Sequence, residues 1–236
     1  MIGILRSISA FVLPSLCGII LLVVCAPFGR RRALAITLPV VTTLGLRLAG
    51  ITLRVDGDVA ALQRRPAVFV INHQSGVDPL LVAALLKRDV VGIAKIELQR
   101  HLLLGPLLKL AGTLFVDRQR HAGPESLAPI IPALNDGYAV AIAAEGKRSH
   151  DGQLNPFKPG ALWLAQHAKV PLIPIVLHNS HAILPAHQLI MRPGTVAITV
   201  LPAIAASESL DVESLQQRFQ HCLKLGSADR ADSAPR

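Results

Sequence analysis

The chain has 236 residues, 51% hydrophobic and 17% charged, with 24 Lys plus Arg against 15 Asp plus Glu for a formal net charge of +9. That apolar content excludes a disordered chain, and three cysteines exclude a disulfide framework. An apolar and basic chain suits an anionic partner, and aromatic residues at 3% leave little to stack on bases, so a negatively charged bilayer is expected and nucleic acid is not.

Ile8 to Phe28 is a run of 21 residues without a charge, long enough as a helix to reach about 30 Å. A second uncharged run, Ala33 to Leu46, has 14 residues and Pro39 near its middle, the length of a re-entrant or interfacial segment. Arg30, Arg31 and Arg32 separate them. A cleaved signal peptide fits poorly, because Pro27 follows the only small-residue site at Ala26 and the arginines come next. A single span competes with a two-helix monotopic anchor over residues 1–50. The hairpin is favoured because positive charge at both ends of the first run gives no orientation for crossing. In that pose Arg6, Arg30 to Arg32 and Arg47 are expected at lipid phosphates.

After Gly50 short β-rich runs alternate with helical ones. Ile51 to Val55, Ala67 to Ile71, Val90 to Ala94, Thr113 to Val116, Ala139 to Ala143, Leu172 to Leu177 and Val196 to Leu201 read as strands. Pro79 to Lys87, Leu98 to Ala111, Pro159 to Lys169 and Leu210 to Leu225 read as helices, and Pro124 to Leu134 reads as one weakened by Pro129 and Pro132. The pattern predicts an α/β domain over residues 51–225 with a largely parallel central sheet flanked by helices, then a loose tail over 226–236. Cys17, Cys25 and Cys222 are expected as small buried hydrophobes.

In open α/β sheets chemistry collects after the strand ends. The first such place is Asn72-His73-Gln74-Ser75-Gly76-Val77-Asp78-Pro79. His73 and Asp78 are five positions apart, about 140° around a helix, so a turn must bring them together. A carboxylate on one imidazole nitrogen fixes the tautomer and leaves the other as a base for an alcohol. The competing reading makes Asp78 the N-cap of the helix that Pro79 opens, and both roles can coexist. The second and third places are Gly112 to Arg118 and Glu145-Gly146-Lys147-Arg148-Ser149. Arginines and a lysine at strand ends suit a phosphorylated substrate, against the alternative of solvated loops. The fourth, Val170 to Val176, carries two prolines that suit a bend or a strand edge.

Other familiar sites are missing from the sequence: there is no Walker loop, no G-x-G-x-x-G and no G-x-S-x-G. His178, His181 and His187 read as a surface loop, and Trp163 with His167 as packing on one helical face.

Together the four places resemble the 1-acyl-sn-glycerol-3-phosphate (lysophosphatidate) acyltransferases of the glycerolipid acyltransferase superfamily. The blocks occur in order: N-H-x-x-x-x-D at Asn72 to Asp78, G-x-x-F-V-D-R at Gly112 to Arg118, a version of F-P-E-G-T-R-S at Ala143 to Ser149, and V-P-hydrophobic-x-P-V at Val170 to Val176. Lys95 to Leu98 and Asn155 to Ala161 extend the likeness, which runs from about Val55 to Ile204. The resemblance implies transfer of a fatty acyl group from acyl-CoA or acyl-carrier protein to the free hydroxyl of a lysophosphatidate-like acceptor, giving phosphatidate. It implies no metal and no bound cofactor. His73 becomes the general base, Asp78 its orienting partner and Lys95 the oxyanion donor. Arg118, Glu145, Gly146, Lys147 and Arg148 fall at the acceptor, with the arginines on its phosphate.

The third block departs from the usual pattern, with Ala143-Ala144 for Phe-Pro and Lys147 for Thr. Val77 stands where many relatives carry an aromatic residue. These changes leave open another lysophospholipid or a lyso-amino lipid as acceptor, and a non-catalytic anionic-lipid-binding protein is the alternative from another class. A lipid acceptor implies anionic membrane lipids as partners and a cell-membrane location. A thioester donor made inside the cell implies a catalytic domain facing the cytoplasm.

Overall fold

The computed structural model describes residues 2–102, 104–110, 112–116, 123–149, 152–185 and 188–232. Its amino-terminal part is a hairpin of two long helices, α1 (Ile2–Cys25) and α2 (Arg30–Ala49), joined by a 3-10 turn and Gly29. The stripe that α1 turns inward is made of small residues, Ser7, Ala10, Pro14, Gly18 and Cys25, which lets the two backbones approach closely. A Cβ at Gly18 would lie 2.9 Å from a methyl of Val41. Leucines, isoleucines and valines cover the rest of α1 and stand exposed.

The second helix is longer than the uncharged run predicts, with 20 residues, because the three arginines form its first turn. Positive charge at a helix amino terminus is unfavourable. Here it is offset by contacts with the rest of the chain: Arg31 Nε donates to Asp89 Oδ1 at 2.6 Å and the guanidinium lies 4.8 Å from the centre of the Tyr138 ring. Pro39 is absorbed within the helix, and Gly50 ends it in the left-handed region at φ +70°, its N–H on the carbonyls of Arg47 and Leu46. The arginines expected at lipid phosphates are thus partly committed inward, since Arg30 also reaches the Lys109 carbonyl and Arg6 that of Met191.

The seven predicted strands all form: β1 (Ile51–Gly57), β2 (Ala67–Ile71), β3 (Val90–Lys95), β4 (Leu114–Val116), β5 (Ala139–Ala143), β6 (Leu172–Leu177) and β7 (Gly194–Val200). They make one sheet in the order β1-β7-β6-β2-β5-β3-β4, parallel throughout except between β6 and β7. Central strands are buried on both faces, so β2 reads as an unbroken apolar run. Its Phe69 and Ile71 enter a core shared with α2 and with α3 (Asp78–Leu86), while Val68 and Val70 enter a second core on the opposite face. That second core is closed by α5 (Ile131–Asn135), α6 (Gly160–His167) and α8 (Val212–Asp232).

Several predicted elements change shape. Leu98 to Ala111 splits into a 3-10 turn, Ile96–Arg100, and α4 (Leu104–Leu110), because Gly105 and Pro106 suit a helix start rather than its middle, and Ala111 lies outside the described residues. Pro124 to Leu134 is a 3-10 turn through Ile130 followed by α5, with prolines at 129 and 132 setting the break. The expected tail is helical as far as Asp232, α8 running on through Gly226 despite its low helix propensity. Of the fourth block's prolines, Pro171 precedes β6 and Pro174 lies within it, on an interior strand instead of an edge. β7 pairs only with Ile175 to Leu177, so the missing N–H of Pro174 falls where that pairing begins, while its carbonyl accepts from Leu201 N.

His178 is buried rather than on a surface loop, with Nε2 2.8 Å from Thr199 Oγ1 and 3.9 Å from Cys222 Sγ. His181, in the short helix α7 (Ser180–Ile183), is exposed, and His187 lies outside the described residues. Burial pushes the Cys222 thiol up from its ordinary value. Trp163 and His167 stack at 4.0 Å on α6.

Candidate active site

The candidate residues gather where the parallel strands β2, β3 and β5 end. Just beyond β2, the Asn72 side chain extends the ladder to β6: its Nδ2 donates to the Leu177 carbonyl at 2.8 Å and its Oδ1 accepts from Leu177 N at 2.7 Å. The next five residues turn back so that α3 starts at Asp78. His73 Nδ1 and Asp78 Oδ2 are 2.7 Å apart, the carboxylate fully buried and the imidazole 21% exposed. The same Oδ2 accepts from the backbone N–H of Gln74 and of Ser75, each at 2.8 Å. Asp78 therefore does not cap α3, because its side chain is occupied by the loop before the helix. Val77 is the capping residue and is buried in the core, outside the lining of the cavity.

Glu145 lies at the end of β5, 1% exposed. Its Oε1 accepts from His73 N at 2.8 Å, and its Oε2 from Asn155 N at 2.8 Å and Asn155 Nδ2 at 2.7 Å. The His73 carbonyl in turn accepts from Ser149 N at 2.8 Å. The backbone of His73 is thereby held on both sides by the third block. Expected at the acceptor, Glu145 instead has both oxygens engaged by the protein. Gly146 stands next to it at φ +71°, a conformation that favours glycine.

Arg148 reaches over the histidine loop, its Nη1 3.3 Å from where a Cβ on Gly76 would sit. Together with His73, Lys95, Gly146 and Lys147 it borders a cavity of about 690 Å³. The other walls are mostly apolar: Val82 and Ala83 of α3, Ile93 and Ala94 of β3, Ala141 to Ala143 of β5, Leu98, Leu108, and Leu38 from α2. Ala143 also borders a smaller hollow of about 130 Å³ with Ala144, Lys158 and Gly160. Arg118 lies outside the described residues. Among the described residues no cluster of three His, Cys, Asp or Glu could hold a metal ion. The site thus sets an imidazole against a buried carboxylate, with cations beside it and an apolar pocket behind them.

Residues 52–178 match the sequence family described as Acyltransferase. The chain belongs to the acyltransferase family. Among curated members it is 35% identical over 150 residues to human 1-acyl-sn-glycerol-3-phosphate acyltransferase beta, covering 61% of this chain and 53% of that protein. It is 33% identical over 212 residues to the mouse alpha form, covering 87% of this chain and 74% of that protein. The chain spans between about half and two thirds of the length of the first relatives it matches. In architecture it is similar to the crystal structure of the 1-acyl-sn-glycerophosphate acyltransferase PlsC from Thermotoga maritima, with a TM-score of 0.72 at 20% identity over 98% of this chain and 100% of that one.

Within this acyltransferase-family fold, the structure brings the sequence-predicted His73, Lys95, Gly146, Lys147 and Arg148 to the border of one cavity, with Asp78 buried behind His73. Sequence reasoning missed Asn72 as a ladder-extending side chain, Asn155 as a partner of Glu145, and the cavity wall supplied by α2. Asn155 stood within a segment that carried the resemblance, but nothing in its spacing pointed to a carboxylate ten residues away.

Proposed function

We propose that this chain is a membrane-bound O-acyltransferase that moves a fatty acyl group from acyl-CoA or acyl-carrier protein to the free hydroxyl of 1-acyl-sn-glycerol-3-phosphate, giving phosphatidate. The observation that carries the reading is the His73–Asp78 pair, 2.7 Å apart, at the mouth of an apolar cavity bordered by Lys95, Lys147 and Arg148. His73 Nε2 takes the proton of the acceptor hydroxyl while Asp78 holds Nδ1–H. The oxygen attacks the thioester carbon, and Lys95 stabilises the oxyanion that forms. The C–S bond breaks, the carbonyl reforms, and the imidazolium returns its proton to the leaving thiolate. Arg148 and Arg118 grip the acceptor phosphate with Lys147 as an added cation, Gly146 lets the head group approach, and the cavity takes acyl chain. Glu145 positions the base by fixing the His73 backbone. The scheme uses no metal and no bound cofactor.

The hairpin supports a seat in one leaflet. Both helices are long and apolar enough to cross a bilayer. However, Arg6 and Ser7 near the start of α1 are bonded to Met191 and the first turn of α2 to Asp89 and Lys109, so both ends of the hairpin rest on the catalytic domain. A crossing pose would carry one end about 30 Å from a domain on the other side. Lying along the leaflet, α1 gives its exposed face to acyl chains, and a lipid acceptor arrives without transfer to water at about 0.8 kcal/mol per CH₂. The thioester donor puts the domain on the cytoplasmic side of the cell membrane.

The deciding experiment offers purified protein mixed acyl thioesters and mixed lysolipids and identifies the products by mass spectrometry. Phosphatidate is expected from lysophosphatidate and is lost in His73→Ala with the circular dichroism spectrum unchanged. Full turnover in that variant overturns the mechanism, and preference for an acceptor without a free phosphate overturns the substrate.

A further inference from the structure

Two leucines outside the hairpin stand almost wholly in the open, Leu102 at 88% and Leu189 at 86% exposure, with Ile190 beside the latter at 44%. A single exposed leucine calls for no explanation. These two, however, sit in loops tied to opposite ends of the hairpin. Ile190 lies 3.3 Å from where a Cβ at Gly3 would be, Arg6 donates to the Met191 carbonyl at 3.0 Å, and Met191 N donates to Ser7 Oγ at 2.8 Å. The Leu189 loop therefore continues the exposed apolar surface of α1 at its first turn. Leu102 precedes α4, whose Lys109 carbonyl accepts from Arg30, and Gly112 just beyond lies against Arg30 and Leu34 at the start of α2.

Within both loop segments the charge has one sign, Glu97 being the nearest carboxylate before the first. No carboxylate occurs from Gln99 to Lys109 or from Gln188 to Arg192, whereas Arg100, Lys109 and Arg192 do, with Arg6 and Arg30 close by. Apolar tips ringed by cations, continuous with an exposed apolar helix, match an anionic bilayer surface. We propose that Leu102 and the Leu189–Ile190 pair are lipid-dipping anchors, so that the catalytic domain, as well as the hairpin, is seated in one leaflet of an anionic membrane. The inference deepens the monotopic reading above and rests on it. It also gives the cavity a route to lipid: Leu98 and Leu108, on the segment that carries Leu102, form part of the cavity wall. The wall of the acyl pocket then lies at the depth of the acyl chains.

The test uses the full chain with Trp163→Phe as background and Leu102→Trp or Leu189→Trp as reporters. Vesicles contain phosphatidylcholine and phosphatidylglycerol, with and without bromine on the acyl chains. Each reporter is expected to shift its emission to the blue on vesicle binding and to be quenched by the brominated chains. Leu102→Asp and Leu189→Asp are each expected to weaken partition roughly fivefold or more, with turnover of detergent-dispersed substrates unchanged. A reporter at either position that is not quenched, or Asp variants that partition like the parent, overturns the proposal. Vesicle binding is read without turnover, so loss of the anchors leaves the reaction standing, and absence of the reaction leaves the anchors standing.

Discussion

At the scale of single residues, Glu145 and Arg148 lie close in sequence and carry opposite expectations. Both Glu145 oxygens accept from protein groups, so Glu145→Gln puts an amide N–H₂ against either His73 N–H or Asn155. The resulting shift of the base is expected to lower kcat by about 100-fold, with the acceptor KM changed less than about twofold. A raised KM at constant kcat would instead place Glu145 on the acceptor. Arg148 is exposed at the cavity mouth, and Arg148→Ala is expected to raise the acceptor KM about 10- to 100-fold, the loss of a charge-assisted contact of about 1.5 to 3 kcal/mol. Arg148→Lys should restore only part of it, because an ammonium cannot make the bidentate contact; full rescue would reduce the role to charge alone.

At the scale of elements, the strands were legible because burial on both faces leaves an apolar run bounded by turn residues, as in β2 and β6. Helix ends were less so. The three arginines looked like a boundary from charge alone, and only the positions of Asp89 and Tyr138 explain why they begin α2 instead. His73 and Asp78 were legible as a pair because their spacing demanded a turn. The buried pairings of Asn72 with Leu177 and of Glu145 with His73 span 105 and 72 residues, a separation no local pattern encodes. The hairpin itself depends on a small residue at one crossing. Gly18→Leu is expected to wedge α1 away from Val41 and cost about 1 to 3 kcal/mol of stability, seen as a lower Tm in detergent with helix content preserved. An unchanged Tm would mean that α1 holds its place without this contact.

At the scale of the whole molecule, a charge of +9 and the exposed surface of α1 act on the same partner by different laws. Apolar insertion is nearly indifferent to salt, whereas attraction to anionic head groups decays within a Debye length of about 10 Å at 0.1 M and about 3 Å at 1 M. Vesicle binding is expected to rise with the fraction of anionic lipid and to fall, without vanishing, as salt is raised across that range in a sedimentation assay. Complete loss in salt would mean that the hairpin contributes no insertion, and indifference to salt would mean that the arginines turned toward the protein leave too little charge for the surface.

The bond from Arg6 to the Met191 carbonyl joins groups 185 residues apart. During synthesis the hairpin emerges well before the loop that receives it, at a pace of about 5 to 20 residues per second, so for many seconds its oily side chains have no native resting place. A neighbouring bilayer is the nearest refuge. The order of manufacture thus favours lipid capture first and assembly of the catalytic body afterwards, on a tether already moored.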